Sequence, residues 1–177
     1  MNFTVDFIKS ARFEFERYKT LGDKTFAQLS ERDLHWKSSE HENSIAIIVK
    51  HLAGNMLSRW THFLTEDGEK PWRHRDAEFE NPPKTKEELI LLWEKGWNCL
   101  FDALNTLNES NFETKIKIRG EKHSIVQAVH RQLAHYSGHV GQIILLGKMV
   151  KKEDWQSLSV PKGKSEAFNK KIFGKRS

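Results

Sequence analysis

Four amphipathic stretches joined by polar connections predict an all-α protein, a four-helix bundle. Two of them open on a capping box, S/T-x-x-E/Q, which marks a helix start. A connection of about 19 residues, "TEDGEKPWRHRDAEFENPP", separates the second and third stretches, and it is long enough to cross a bundle. The whole chain, 1–177, fits one domain of ordinary size.

The first stretch runs roughly from Thr4 to Leu29 and places Phe7, Ile8, Ala11, Phe15 and Tyr18 at helical spacing. "LSERDLHWKSSEHENS" is a polar connection expected to hold a short helical turn. The second stretch opens at Asn43 or Ser44, either of which can cap it, and continues to about Leu64. Its apolar face is Ile45, Ile48, Leu52, Met56 and Phe63. The third begins at "TKEE", with Thr85 as cap and Glu88 closing the box, and carries Leu89, Leu92, Trp93, Trp97, Leu100, Leu104 and Leu107. In "FETKIKIRGEKHS", Ile116 and Ile118 alternate with lysines ahead of Gly120, the pattern of a small hairpin. The fourth stretch opens with Ser124 and Gln127 as a second capping box and reaches about Lys148. Residues 159–177 read as a basic, mostly irregular tail.

Charged residues make up 30% and hydrophobic residues 37%, and no apolar run is long enough to span a membrane. The first residues mix charge with aromatics, unlike a signal peptide. A single cysteine, Cys99, excludes an internal disulfide framework, so a cytoplasmic location is expected. The formal charge is +5, and the tail "PKGKSEAFNKKIFGKRS" holds six Lys/Arg against one acid, Glu166. No nucleic-acid motif accompanies it, so a solvated end is favoured over an arm for nucleic acid.

The fourth stretch holds "LAHYSGHVGQI", two histidines four residues apart. With nine histidines in 177 residues, such a pair arises by chance about 0.4 times, so the spacing alone decides little. On a helix His135 and His139 fall within about 40° of each other, on the side of Ala128, Ile143 and Leu146. Both imidazoles are therefore expected to face the core, where each ring nitrogen needs a partner. Two neutral rings sharing a cation satisfy that need, and so do two core histidines bonded to backbone or buried water. His51 in "IIVKHLAGN" is the candidate third ligand, at the edge of its helix's apolar face, with Asn55 and His62 along the same edge. As a boundary histidine it has no other sequence signal in its favour. His35, His41, His74 and His123 fall in loops or at element edges, and His130 lies off the inner face.

"IVKHLAGNMLSRWTHFLTEDGEKPWRHRDAEFE", "AHYSGHVGQIILLGK" and "SLSVPKGKSEAFN" resemble the DinB-like superfamily of metalloenzymes, in particular a branch described as a domain of unknown function. The resemblance covers nearly the whole chain. It implies a four-helix bundle, often a homodimer, with a metal held by one histidine of the second helix and an H-x-x-x-H pair of the fourth. Residue by residue these are His51, His135 and His139, and the family's glutamine after the pair is Gln142. Three histidines leave positions open on a metal, as catalytic sites do, and imidazole suits zinc or nickel foremost, with iron or copper as alternatives.

Some members of the superfamily are thiol S-transferases or isomerases that use a low-molecular-weight thiol such as bacillithiol. The resemblance thus implies a metal-dependent enzyme that activates a thiol against a small-molecule electrophile. A hydrolase on the same site, or a non-catalytic metal-binding or stress-response protein, are the alternatives. Asn55, Arg59 and Gln142 are candidates to support the metal or orient an anionic thiol, although Arg59 can equally be an ion-paired surface residue. Arg73, His74 and Arg75 could cover the site as a lid. Tyr136 and Ser137 are expected to point to other sides of the helix, and Cys99 to pack in the core. Gly138 and Gly141 thin the fourth helix for the close approach of a helix from the same chain or from a partner.

Overall fold

A computed structural model describes residues 2–174. The polypeptide is mostly helical, with α1 Phe3–Phe26, α2 Glu31–Leu34, α3 Ile45–Trp60, α4 Lys86–Asn105, α5 Ile125–Lys151 and α6 Ser165–Phe173. One antiparallel hairpin, β1 Ile116–Ile118 with β2 Glu121–His123, stands between α4 and α5. The starts of the long helices follow from their caps. Ser44 accepts a hydrogen bond from the Ile47 amide, and Thr85–Glu88 and Ser124–Gln127 form complete capping boxes. The short turn expected before the second long helix is α2, with Ser30 and Asp33 as its own capping box.

Contacts fix how the long helices run. On α1 and α4, Arg12 meets Asn105 while Lys19 and Asp23 meet Glu94 and Trp93, so these two helices are antiparallel. On α1 and α5, Phe7 meets His130, Phe15 meets Tyr136 and Thr25 meets Gly147, so these run parallel. Helix α3 is parallel to α4, with Met56 beside Gly96 and Thr61 beside Cys99, and is therefore antiparallel to α1 and to α5. Two parallel neighbours consecutive in the chain need a return crossing. The long connection, residues 61–85, supplies it, which is the physical reason for its length.

The aromatic centre of the core is Phe15, Trp93, Trp97 and Tyr136, all at most 1% exposed and packed edge to face or tilted. Fully burying a side chain such as Phe15 is worth roughly 1.5–3 kcal/mol. Gly22 makes room for this centre, since a Cβ there would lie 2.4 Å from Cζ2 of Trp93. Trp93 has nowhere to go, being wedged against Phe26 and Trp97 and tied through Nε1–H to Asp23 at 2.8 Å.

Two expectations need correction, and another is narrowed. The second long helix ends at Trp60, four residues before Leu64. His62 takes a left-handed conformation (φ 48°), its carbonyl accepts from the Thr65 and Glu66 amides, and the resulting turn packs Phe63 against Trp60. The C-terminal tail is not mostly irregular: Ser165–Phe173 form a nine-residue amphipathic helix, none of it buried. Residues 175–177 of that tail lie outside the described residues. Gly138 and Gly141 have no atom within 4 Å of where a Cβ would sit, so no helix of this chain approaches them among the described residues. Within the long connection, Asp76–Phe79 form a 3-10 turn.

Gly22→Ala should therefore destabilise the protein by about 1–3 kcal/mol, because the added methyl overpacks a locked ring. Gly138→Ala should be neutral or stabilising by up to about 1 kcal/mol, since it only adds helix propensity. Chemical denaturation of the two variants checks both, and equal destabilisation would contradict the packing described.

Candidate metal centre

Helix α3 is covered by α4, α5 and the long connection, so every residue of it except Lys50, Gly54 and Leu57 is buried. That burial takes in His51, which is 5% exposed although its place at the edge of the apolar stripe suggested a boundary residue. His135 and His139 differ from expectation in the other direction. They sit at one margin of the buried stripe of α5, half-buried, and face a cleft instead of the core. The residue of α5 that does point into the core is Tyr136, against the expectation that it would turn elsewhere. Its hydroxyl accepts from Trp60 Nε1 and donates to Asn55 Oδ1, each at 3.1 Å. Burial pushes the Tyr136 hydroxyl far above its ordinary pKa, so it stays protonated and can donate.

The three imidazoles from α3 and α5 meet at their Nε2 atoms. His51 Nε2 lies 3.3 Å from His135 Nε2, and His139 Nε2 lies 3.1 Å from the same atom. The other ring nitrogens decide what these contacts are. His51 Nδ1 is 2.8 Å from Oε2 of Glu78, a carboxylate that can only accept, so Nδ1 carries the proton and Nε2 presents a lone pair. His139 Nδ1 is 2.8 Å from Gln142 Oε1 and is a donor by the same reasoning, with the amide oriented as placed. His135 can supply one Nε2 proton to one neighbour and none to the other. Three nitrogens this close with at most one proton among them are better satisfied by a cation. A tetrahedral ion with bonds of about 2.0–2.1 Å sets its ligand nitrogens about 3.3–3.4 Å apart, close to the distances here. His51, His135 and His139 could thus hold a metal ion.

Protonation of the α5 pair is disfavoured. Burial, then the neighbouring His139, His51, Arg73 and Arg59, press His135 down to about 4. Burial and His51 lower His139 as well. Neutral imidazoles are the form that ligates a metal.

Glu78 is the residue that sequence reasoning missed. It lies on the 3-10 turn of the long connection, 6% exposed. Burial alone would raise its pKa, but hydrogen bonds from His51 and Arg73 hold the carboxyl below its ordinary value. Arg73 donates to both of its oxygens, from Nε at 2.7 Å and Nη2 at 2.9 Å. The connection is fastened where it must be. Lys50 Nζ donates to the carbonyls of Ala77 at 2.7 Å and Glu80 at 2.6 Å, and Asp67 accepts from the hairpin amides of Arg119 at 2.8 Å and Gly120 at 2.7 Å. Gly54 leaves the space that Glu78 fills, since a Cβ there would lie 2.4 Å from Oε1. Phe79, next in the chain, stacks on the His51 ring at 4.9 Å.

The remaining candidates fall out as follows. Gln142 orients His139, as above. Asn55 lines the cleft but bonds Tyr136 and touches none of the histidines through a hydrogen bond. Arg59 is not a surface residue: it is 6% exposed, donates to the Gly68 carbonyl and pairs with Glu69 at 3.1 Å. Arg73 and Arg75 line the cleft, whereas His74 is exposed and does not. Cys99 sits apart, beside Thr61 at 3.5 Å, with its thiol pushed up by burial. His35, His41, His62, His74, His123 and His130 do not join the cluster among the described residues.

Replacing Glu78 by Gln should lower zinc affinity by roughly 10–100-fold, as loss of an orienting carboxylate does, while circular dichroism stays unchanged. Gly54→Ala should do the same by displacing Glu78. Unaltered affinity in both would show that the carboxylate plays no part. A second prediction concerns acid. His135 is lowered in the folded state, so the unfolded chain takes up its proton first, and the metal-free protein loses stability as pH falls from about 6.5 toward about 4. His135→Ala should lose less over that window, as read by denaturation at a series of pH values.

No curated protein and no solved structure matches the chain. A family model does, over residues 2–164, which take in all three histidines, Glu78 and every helix but α6. The chain belongs to the family described as protein of unknown function (DUF1572).

Proposed function

We propose that this protein is a metal-dependent enzyme of the DinB-like type, with its four long helices as the bundle and a divalent transition metal, zinc or nickel, held by Nε2 of His51, His135 and His139. The observation that carries the reading is the convergence of those three nitrogens at 3.1 and 3.3 Å with two of their Nδ1 partners already acceptors. Three protein donors leave room for a substrate atom, the arrangement of a catalytic site. A divalent ion there would lower the pKa of a bound thiol or water and supply a nucleophile at neutral pH.

The reaction we favour is thiol S-transfer: a low-molecular-weight thiol R–SH attacks an electrophile R′–X, an S–C bond forms, the R′–X bond breaks, and a proton and X⁻ leave. The protein's own groups fit it. Glu78 and Gln142 hold the imidazoles in the tautomer that ligates. Hydrolysis on the same site is the competing chemistry. Against a metalloprotease-type hydrolase stands the cleft lining, which holds no carboxylate among the described residues to serve as general base. A thiol brings its own ionisable proton and needs no such base. The reading extends to a cytoplasmic homodimer acting on a small molecule.

Purified protein should contain about one metal ion per chain, and His135→Ala should lose at least about nine-tenths of it. With metal loaded, conjugation of a model electrophile with bacillithiol should run faster than with thiol alone, stop on chelation and return on adding zinc or nickel. Full loading without acceleration over the uncatalysed rate would leave a metal-binding protein and remove the transferase.

A further inference from the structure

The cleft over the three histidines, about 450 Å³, is lined by five arginines, Arg59, Arg73, Arg75, Arg119 and Arg131. Five like charges around one small space repel one another unless anions answer them. Two are answered within the protein. Arg73 is clamped on Glu78 and Arg59 pairs with Glu69. The other three are answered only in part. Arg119 uses only Nε, on Glu69 at 2.9 Å, which leaves both terminal nitrogens without a hydrogen bond. Arg75 lies over the Phe79 ring, and its sole carboxylate neighbour, Asp76, is 3.9 Å away and itself fully exposed. Arg131 has one long contact, 3.5 Å to His123 Nε2. Against the five guanidiniums stand Glu69, Glu78, Asp76 and, near Arg59, Asp67, so a positive charge remains in excess even when Asp76 is counted.

A second observation is independent of the charge. Gln132, one turn before His135 on α5, is 3% exposed, lines the same cleft and makes no hydrogen bond, and its Oε1 is enclosed without a partner. A buried amide is ordinarily paired inside the protein. This one is unpaired and borders the cleft.

We propose that this cleft is an anion subsite, in which Arg75, Arg119 and Arg131 grip a carboxylate or phosphate group of the substrate while the Gln132 amide bonds a polar group next to it. Guanidinium forks pair bidentately with either oxyanion, which gives direction as well as attraction. The inference rests on the reading above in one respect, that the bound molecule reaches the histidines. The anion grip itself needs no metal. It narrows the substrate class to thiols or electrophiles that carry at least one anionic group, and it places that group on the side of α5 and the hairpin.

The test uses the full chain, stripped of metal by chelator and dialysis, and in parallel loaded with zinc. Succinate and inorganic phosphate are titrated in separate calorimetric runs. The metal-free protein should bind at least one of them, more weakly as salt is raised, and the preferred anion identifies carboxylate or phosphate as the group recognised. The double variant Arg119→Gln/Arg131→Gln should weaken that binding at least about tenfold, with zinc content and circular dichroism unchanged. Gln132→Leu should not lower the unfolding temperature, because the amide it removes bonds nothing, and it supplies a variant whose folding is not in question. Equal affinity in the wild type and the double variant, or no binding of either anion with or without zinc, overturns the subsite. Arginine-dependent anion binding in a chain that takes up no zinc would keep the subsite and remove the metal enzyme. Zinc uptake without arginine-dependent binding would do the reverse.

Discussion

Three imidazole Nε2 atoms directed at one point are the constraint on which the rest of this structure turns. In water each Nε2 would find its own hydrogen bond. Held together by α3 and α5, with Nδ1 of His51 and His139 already committed as donors, they have at most one proton to share. Helix packing must therefore hold the two backbones at the separation that brings these nitrogens together, and the aromatic centre does this. Tyr136 joins the core one residue from His135, and its hydroxyl links Asn55 and Trp60 on α3. Asn55 follows His51 by one turn and Tyr136 follows His135 by one residue, so the hydrogen-bond chain across the core sets the histidines' approach.

The crossover between α3 and α4 does more than return the chain. Parallel α3 and α4 require a segment that runs the length of the molecule, and that segment passes directly over His51. It is tied down at three places: Asp67 on the hairpin turn, Gly68 under Ser58 and Arg59, and Ala77 and Glu80 on Lys50. Between these ties lie Arg73 and Glu78, so the carboxylate that orients His51 is delivered by topology. A loop free to move could not keep a buried carboxylate 2.8 Å from a ring nitrogen.

What the sequence made legible follows from physics that acts locally. The capping boxes at Thr85 and Ser124, the cap at Ser44 and the hairpin around Gly120 are settled within a few residues, and they stand where the pattern put them. His51 was legible only through resemblance, because α3 is covered nearly all round and its burial depends on three other segments. Glu78 had no signal at all. One acid in "RDAEFE" among other acids is indistinguishable until the crossover lays it on His51. The end of α3 was misplaced because the apolar spacing continues through Phe63, while the chain reaches that contact by a left-handed turn at His62. The tail helix was missed because its apolar residues are few and set among lysines, and nothing among the described residues buries them. Arg131 and Gln132 were within reach of the helical period, since residues 131, 135 and 139 recur every fourth position, but charge drew attention to the tail instead.

The arginines and the histidines act on one another. Arg73 and Arg59 stand close enough to help press His135 toward neutrality, together with burial and its histidine neighbours. A cleft of positive charge thereby keeps protons off the nitrogens that would hold a cation, and it does so without supplying a carboxylate that would compete as a ligand. The same field repels a divalent ion, which is a cost to metal binding. Glu78 offsets it at the one place where it matters, by placing a negative charge behind His51 on the side away from the cleft, where it strengthens the imidazole as a donor. An anionic substrate group on Arg75, Arg119 and Arg131 would offset it from the front. On the proposed reading, an anion at the front of the cleft would offset the field that opposes a divalent ion, so each should bind more tightly in the presence of the other.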